Sequence, residues 1–305
     1  MSFYLSSLRK SLRKNWDLYL LIFPVVLYFI IFHYLPMMGI QLAFKNLMPL
    51  KGVWGSPWVG FEHFTRFFNS YYFWDLLKNT LGISIYSLAV GFPVPILLAL
   101  MINEVSGKRF KKMVQTVTYA PHFISMVVMV GMITMFLSPQ TGFINGIIEF
   151  FGGEPIYFMG EPGKFKTIYV LSNVWQNMGW ASIIYIAVLA NVDPQQHESA
   201  VIDGANRVQR IWYINIPSIL PTIVILFVLD VGQIMNVGFE KIFLMQNDLN
   251  RNASDVISTF VYRNGILGAE YGFSTAVGLF NSVINFTLLI LVNAIARKTN
   301  ETSLW

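Results

Sequence analysis

Six stretches of this 305-residue sequence are apolar over about the length a helix needs to cross a bilayer, about 20 residues for ~30 Å of hydrocarbon. They fall near residues 18–41, 77–102, 117–138, 167–190, 218–238 and 272–295. In lipid, the backbone must satisfy its own N–H and C=O groups, so a span is either a helix or a strand of a closed barrel. The runs are too long for barrel strands. The fold class predicted is all-α, a polytopic membrane protein with six transmembrane helices. Charge agrees. Only 12% of residues are charged, where a soluble domain carries roughly 25% to cover its surface.

A net charge of +5 fits nucleic acid only if the cations share a patch, and here they do not. Dense sets occur at Arg9, Lys10, Arg13 and Lys14, at Lys108, Arg109, Lys111 and Lys112, at Arg207 and Arg210, and at Arg297 and Lys298. The intervening loops are longer and more sparsely basic, so the positive-inside rule places both termini and the 193–217 loop in the cytoplasm. Residues 1–17 read as a cytoplasmic or interfacial helix, with Leu5, Leu8 and Leu12 beside the basic residues. The run after Asp17 is too long for a signal peptide and reads as a retained first span. Residues 42–76 form an external, aromatic-rich segment, and 296–305 a cytoplasmic tail. Two more external segments are expected, a glycine-rich loop with a short apolar helix at 139–166 and one at 239–271 with a short helix near 255–262.

Familiar catalytic chemistry is missing. Gly107-Lys108 lacks the leading glycine of a P-loop, and Arg109 follows where Ser or Thr belongs. His197-Glu198 opens like a zincin motif, but Val201 stands where the second histidine is required. The four histidines are scattered, and His122 beside Pro121 reads as a packed or hydrogen-bonded residue. With no cysteine, disulfides, thiolate metal sites and cysteine catalysis are excluded. No catalytic residue and no metal site is expected.

Polar residues within spans are costly and face other helices or a water-filled path. Asn173, Gln176, Asn177 and Trp180 share one helix face; Ser274, Gly278, Asn281 and Asn285 share another. Asp230, Gln233 and Asn236 cover an arc of roughly 120° at 100° per residue. Asn79 and Tyr86 belong to the second run. Together these residues are the candidate substrate path, with amides replacing hydration of hydroxyl groups and aromatic faces stacking on sugar rings. The competing reading is interhelical glue, at roughly 0.6–2 kcal/mol per amide.

Between the fourth and fifth runs lies a polar, helix-prone island. Asp193 suits an N-cap, Pro194 the first helical position, and Gln196 the acceptor position of a capping box. The helix is expected to lose regularity at Gly204 and to stop at Pro217. Glu198-Ser199-Ala200, Gly204, nine residues, then Ile214-Asn215-Ile216-Pro217 resembles the EAA signature of ABC importer permeases, which reads Glu-Ala-Ala, three residues, Gly, nine residues, Ile-x-Leu-Pro. Ser199 and Ile216 are mild departures and the spacing is kept. Residues 77–295 therefore resemble a type I ABC importer transmembrane domain, preceded by an extra first helix at 18–41.

Tyr34-Leu35-Pro36-Met37-Met38-Gly39, the run from Asp230 to Lys241, and the ending Ser303-Leu304-Trp305 are similar to one branch of the carbohydrate-uptake permeases. That branch imports oligosaccharides from polysaccharide breakdown, acidic ones from pectin and alginate included. The resemblance implies a bacterial cell-membrane permease that binds no cofactor itself. It further implies a second homologous permease chain, two ATP-binding subunits holding ATP and Mg, and an extracellular lipid-anchored solute-binding protein. Glu198, Ser199, Ala200, Asp203, Gly204, Ala205, Ile214 and Pro217 are then the ATPase-coupling residues. An ATP-independent secondary transporter or channel for small polar solutes remains the alternative; it would co-purify with no nucleotide-binding subunit. A membrane enzyme finds no paired catalytic constellation to support it.

Overall fold

The computed structural model describes residues 14–300, 303 and 304, with side chains through 298 and at 303 and 304. The amphipathic segment expected at 3–14 lies outside the described residues apart from Lys14. Among the described residues every regular element is helical, and the sole β feature is an isolated bridge between Lys45 and Trp58.

The helices used below are α1 (Trp16–Phe29), α2 (Phe73–Gly91), α3 (Pro93–Glu104), α4 (Lys108–Tyr119), α5 (Met126–Phe136), α6 (Pro162–Leu189), α7 (Pro194–Ile202), α8 (Arg207–Arg210), α9 (Ile216–Val231), α10 (Phe239–Met245), α11 (Ile257–Val261) and α12 (Tyr271–Asn300). Four continuous helical paths are long and apolar enough to span: Trp16–Phe44, Phe73–Glu104, Arg207–Val231 and Tyr271–Lys298.

The other two runs expected as spans are shaped differently. The run near 117–138 is split into α4 and α5, whose helical segments meet at 103°. Ile124 and Ser125 take extended backbone there, and the Ser125 hydroxyl caps the new helix at the Val128 N–H. The run near 167–190 is the 28-residue α6, long enough to span, yet its amides keep it out of the set of apolar helices.

The island also differs from its expected form. Asp193 caps α7 by accepting from the Gln195 N–H at 3.0 Å, with Pro194 at the start as expected. The capping box, however, is on α8, where Asn206 and Gln209 bond each other's backbone reciprocally at 2.8 and 2.9 Å. Pro217 does not stop a helix. A π-helical stretch, Ile211–Asn215, widens the hydrogen-bond ring ahead of it, and Pro217 sits in the first turn of α9 where no N–H is needed. The path from Arg207 to Val231 is one continuous helix.

Two compact units divide the chain. In the larger (Asn69–Arg263 and Phe280–Trp305), α6 is the central element, packed on α2, α3, α4 and α9. Near its start, Phe165, Tyr169 and Val170 join Ile83, Met129, Ile133, Ile242 and Met245 in one buried cluster. Near its end, Tyr185 and Leu189 join Ala99, Leu100 and Ile219 in another. In the smaller unit (up to Phe68, with Asn264–Leu279), the buried Lys45 donates to the carbonyls of Val53 and Trp54 at 2.9 and 3.3 Å and lies over the Trp58 ring. Arg66 forms a two-pronged pair with Glu270 at 2.9 and 3.0 Å and covers Phe273. No residue in the most apolar window of Trp16–Phe44 is buried within the chain, as suits a helix surrounded by lipid.

Gly179 sets the closest approach in the larger unit: a Cβ there would lie 2.1 Å from the Thr118 carbonyl oxygen. Gly179→Ala therefore has to push α6 and α4 apart, at about 1–3 kcal/mol. The thermal-unfolding midpoint in detergent is expected to fall by several degrees, while Gly131→Ala, with nothing within 4 Å, leaves it unchanged.

Candidate functional site: an amide-lined cavity and a capped coupling turn

Between the two clusters on α6, a cavity of about 460 Å³ opens in the larger unit. Asn173 and Asn177 of α6 form one side; Asp230, Gln233 and Asn236, at and beyond the end of α9, form another; Ser84 and Ser87 of α2 complete the polar lining. The amides bond one another. Asn177 donates to the side-chain oxygen of Asn173 at 3.1 Å, Asn236 donates to Gln233 at 2.5 Å, and Asn281 of α12 donates to Asn236 at 2.8 Å. This lining holds many donors and acceptors, an arrangement whose chemistry matches hydroxyl groups. Among the described residues no metal-binding cluster is present.

The expected path residues divide into two groups. Asn173, Asn177, Asp230, Gln233 and Asn236 line the cavity, and Asn281 braces it through Asn236. The others serve elsewhere. Asn79 spends its amide on the carbonyls of Asn252 and Asp255, at 2.8 and 3.1 Å, so it pins that loop to α2. Asn285 accepts from the Met235 N–H at 2.9 Å, which satisfies the backbone where α9 breaks into turns. Gln176 is buried and donates to the Ile124 carbonyl at 3.3 Å, on the bend between α4 and α5. Tyr86 packs on the first cluster. Trp180 stacks parallel on His122, centroids 4.6 Å apart, and His122 Nδ1 lies 3.0 Å from Asn177 Oδ1. His122 is thus packed and hydrogen-bonded, as expected. Ser84, Ser87 and Tyr169 are lining residues that sequence spacing did not single out. A small hydroxyl or one phenol in an apolar run gives no signal by itself.

At the island, Gly204 has φ +81, a left-handed backbone that L side chains rarely adopt. Its N–H bonds the Val201 carbonyl at 3.1 Å, and the Ala205 N–H bonds that of Ala200 at 2.8 Å. These two bonds are the Schellman end of α7. The turn leaves Glu198, Ser199 and Asp203 exposed and Ala200 and Ala205 half-buried. Val201 and Ile202, not among the expected coupling residues, are also exposed, Ile202 at 85%. Ile214 is half-buried and Pro217 exposed at the base of α9. Beneath the turn, Glu104 at the end of α3 accepts from Asn215 at 3.4 Å and lies 3.8 Å from Arg210. A short helix with apolar residues in the open, followed directly by a long helix whose base is latched to α3, is suited to docking.

Residues 91–301 match a family described as the binding-protein-dependent transport system inner membrane component. The chain belongs to this family. The match begins further along than the resemblance at 77–295 suggests, and it covers the cavity helices α6 and α9 and the whole α7 turn. Along 97% of its length the chain is 43% identical to protein LplB of Bacillus subtilis (strain 168), covering 93% of that protein. It is equally identical, over 94% of its length, to 90% of the polygalacturonan/rhamnogalacturonan transport system permease protein YteP of the same organism. Its fold is similar to a chain in the crystal structure of a bacterial ABC transporter involved in the import of the acidic polysaccharide alginate. The TM-score is 0.90 at 43% identity, with 96% of this chain and 99% of that one covered. A second structure of the bacterial alginate ABC transporter, in complex with an alginate pentasaccharide-bound periplasmic protein, matches with a TM-score of 0.89 at 42% identity over 97% and 99%. The protein is therefore a multi-pass inner-membrane permease subunit of an ABC importer.

Gly204→Ala forces a Cβ into the left-handed region, at about 1–2 kcal/mol, while Gly204→Asn is milder because asparagine visits that region. Nothing lies within 4 Å of the added atom, so the cost is conformational. Hydrogen exchange in detergent is expected to show faster exchange at Ala205 in the alanine variant and near-normal exchange in the asparagine variant.

Proposed function

We propose that the chain forms half of the translocation path of an oligosaccharide importer and transmits the work of a separate ATPase through the α7 turn. The observation that carries this reading is the continuous helix from Arg207 to Val231, with the docking turn just before its start and Asp230 of the cavity wall near its other end. The relatives' substrates, polygalacturonan, rhamnogalacturonan and alginate, support an oligosaccharide, and an acidic one, as cargo. The cavity's serines, asparagines and Gln233 match hydroxyl groups.

On this reading a second homologous permease chain completes the path. Two ATP-binding subunits, holding ATP and Mg, take up the turn in the cytoplasm, where both termini also lie. A lipid-anchored solute-binding protein delivers the sugar from outside. The chain catalyses nothing itself. Closure of the two ATPases displaces α7, and the rigid helix carries that displacement to the cavity, exchanging outward- and inward-facing states.

Three variants test the separation of roles. Glu198→Lys, or Gly204→Asp, is expected to abolish uptake while the protein still inserts and assembles; normal uptake removes the coupling assignment. Asp230→Ala is expected to impair transport while the ATP-binding subunits still co-purify. Unchanged substrate-stimulated ATP hydrolysis and uptake in that variant removes Asp230 from the path.

A further inference from the structure

The cavity has polar neutral groups and one acid on its walls, and no cation among its lining residues. An anionic glycan entering it would meet Asp230 with no opposing charge at the surface. The charge lies one layer deeper. Lys241 of α10 is 1% exposed, among the largest fully buried side chains of the larger unit. Its Nζ finds no hydrogen-bond acceptor among the described residues and forms no ion pair with any of them. It lies 5.3 Å from the ring centroid of Tyr169, and Tyr169 is itself part of the cavity wall. Gly238, one turn before Lys241, lines the same cavity, and a Cβ there would come within 3.1 Å of the Tyr169 hydroxyl. The ammonium is thus separated from the cavity by one aromatic ring.

An isolated ammonium in an apolar cluster is costly, and burial alone is a poor use of lysine when Met or Leu fills the same space. What the ammonium adds is potential. Between an apolar core and a cavity, little water screens it, so its field reaches the space beyond the ring. The Tyr169 face holds the amine by a cation–π contact and fixes the direction of that field. Burial pushes the Lys241 amine from 10.5 down to about 8, so at neutral pH most of it is still protonated.

We propose that Lys241 is a specificity-determining residue for anionic oligosaccharides, supplying from behind Tyr169 the positive potential that offsets Asp230. The inference rests on the oligosaccharide reading above and names the residue that selects charge. It makes Lys241 a positioning residue for the field in the cavity, and Tyr169 the wall through which it acts.

The test uses the complete importer complex in detergent, without its binding protein, and two probes of equal length: a uronic acid trisaccharide and the neutral trisaccharide obtained by reducing its carboxyl groups. Wild type is expected to bind the uronate at least about tenfold more tightly than the neutral sugar. Lys241→Met is expected to lose that preference by weakening uronate binding about tenfold or more, with the neutral sugar changed less than about twofold; Lys241→Arg is expected to keep it. Equal changes for both sugars, or no change, overturn the charge assignment and leave Lys241 a packing residue. If Lys241→Met does not assemble, Lys241→Gln and Lys241→Arg carry the same comparison. A wild-type complex that binds neither sugar overturns the substrate reading, and this inference with it.

Discussion

In hydrocarbon every polar group needs a partner inside the protein, and the larger unit is arranged around that requirement. Its central long helix, α6, carries three amides in mid-length and is packed on α2, α3, α4 and α9. At three places where the backbone leaves helical geometry, an amide side chain meets it. Asn285 takes the Met235 N–H at the broken end of α9, Gln176 reaches the Ile124 carbonyl at the bend before α5, and Asn79 holds two carbonyls near residue 255. Irregular backbone at such sites is tolerated only where protein covers it or a cavity is lined. Amides left over from that task line the cavity and bond mainly to one another, so they can trade those bonds for hydroxyl groups of a bound sugar at little cost.

On the proposed reading, coupling needs a continuous helix in one place and a sharp turn in another. The turn needs Gly204, because a left-handed residue closes α7 after two and a half turns and points the chain into α8. The continuous helix 207–231 is about 37 Å long at 1.5 Å per residue and carries Pro221 in its interior. Its π-helical stretch lets Pro217 enter without a break. Glu104 ties the base of that helix to α3, so on the proposed reading a push on the turn reaches two long helices.

The larger features were legible from sequence because each rests on a strong local rule. Hydropathy located the long helices, glycine marked the left-handed turn, and helical spacing put Asn173 and Asn177 on the face that lines the cavity. Other features depend on neighbours that no local pattern reveals. Asn79 and Asn173 are the same residue type in similar surroundings, yet one serves a loop and the other the cavity, because partner backbone lies within reach of only the first. The bend at 124–125 arises from Ser125 capping a new helix inside an apolar run. Pro217 read as a stop because α-helical bonding was assumed ahead of it, and the π turn removes that conflict. Lys241 lies in a segment read as external loop, and only packing against Tyr169 reveals that its amine is buried.

The chain has no cysteine, so a single introduced thiol is unique. The most direct measurement places it at the exposed tip of α7, as Ile202→Cys, and applies a short bifunctional thiol–amine cross-linker to the assembled importer, scoring cross-linked products and sugar-stimulated ATP hydrolysis together. A docking turn predicts a cross-link to the ATP-binding subunit and loss of stimulated hydrolysis, both absent with Ile147→Cys on the short helix Phe143–Phe150. No cross-link to that subunit at Ile202, in an importer that still hydrolyses ATP on sugar delivery, would contradict it.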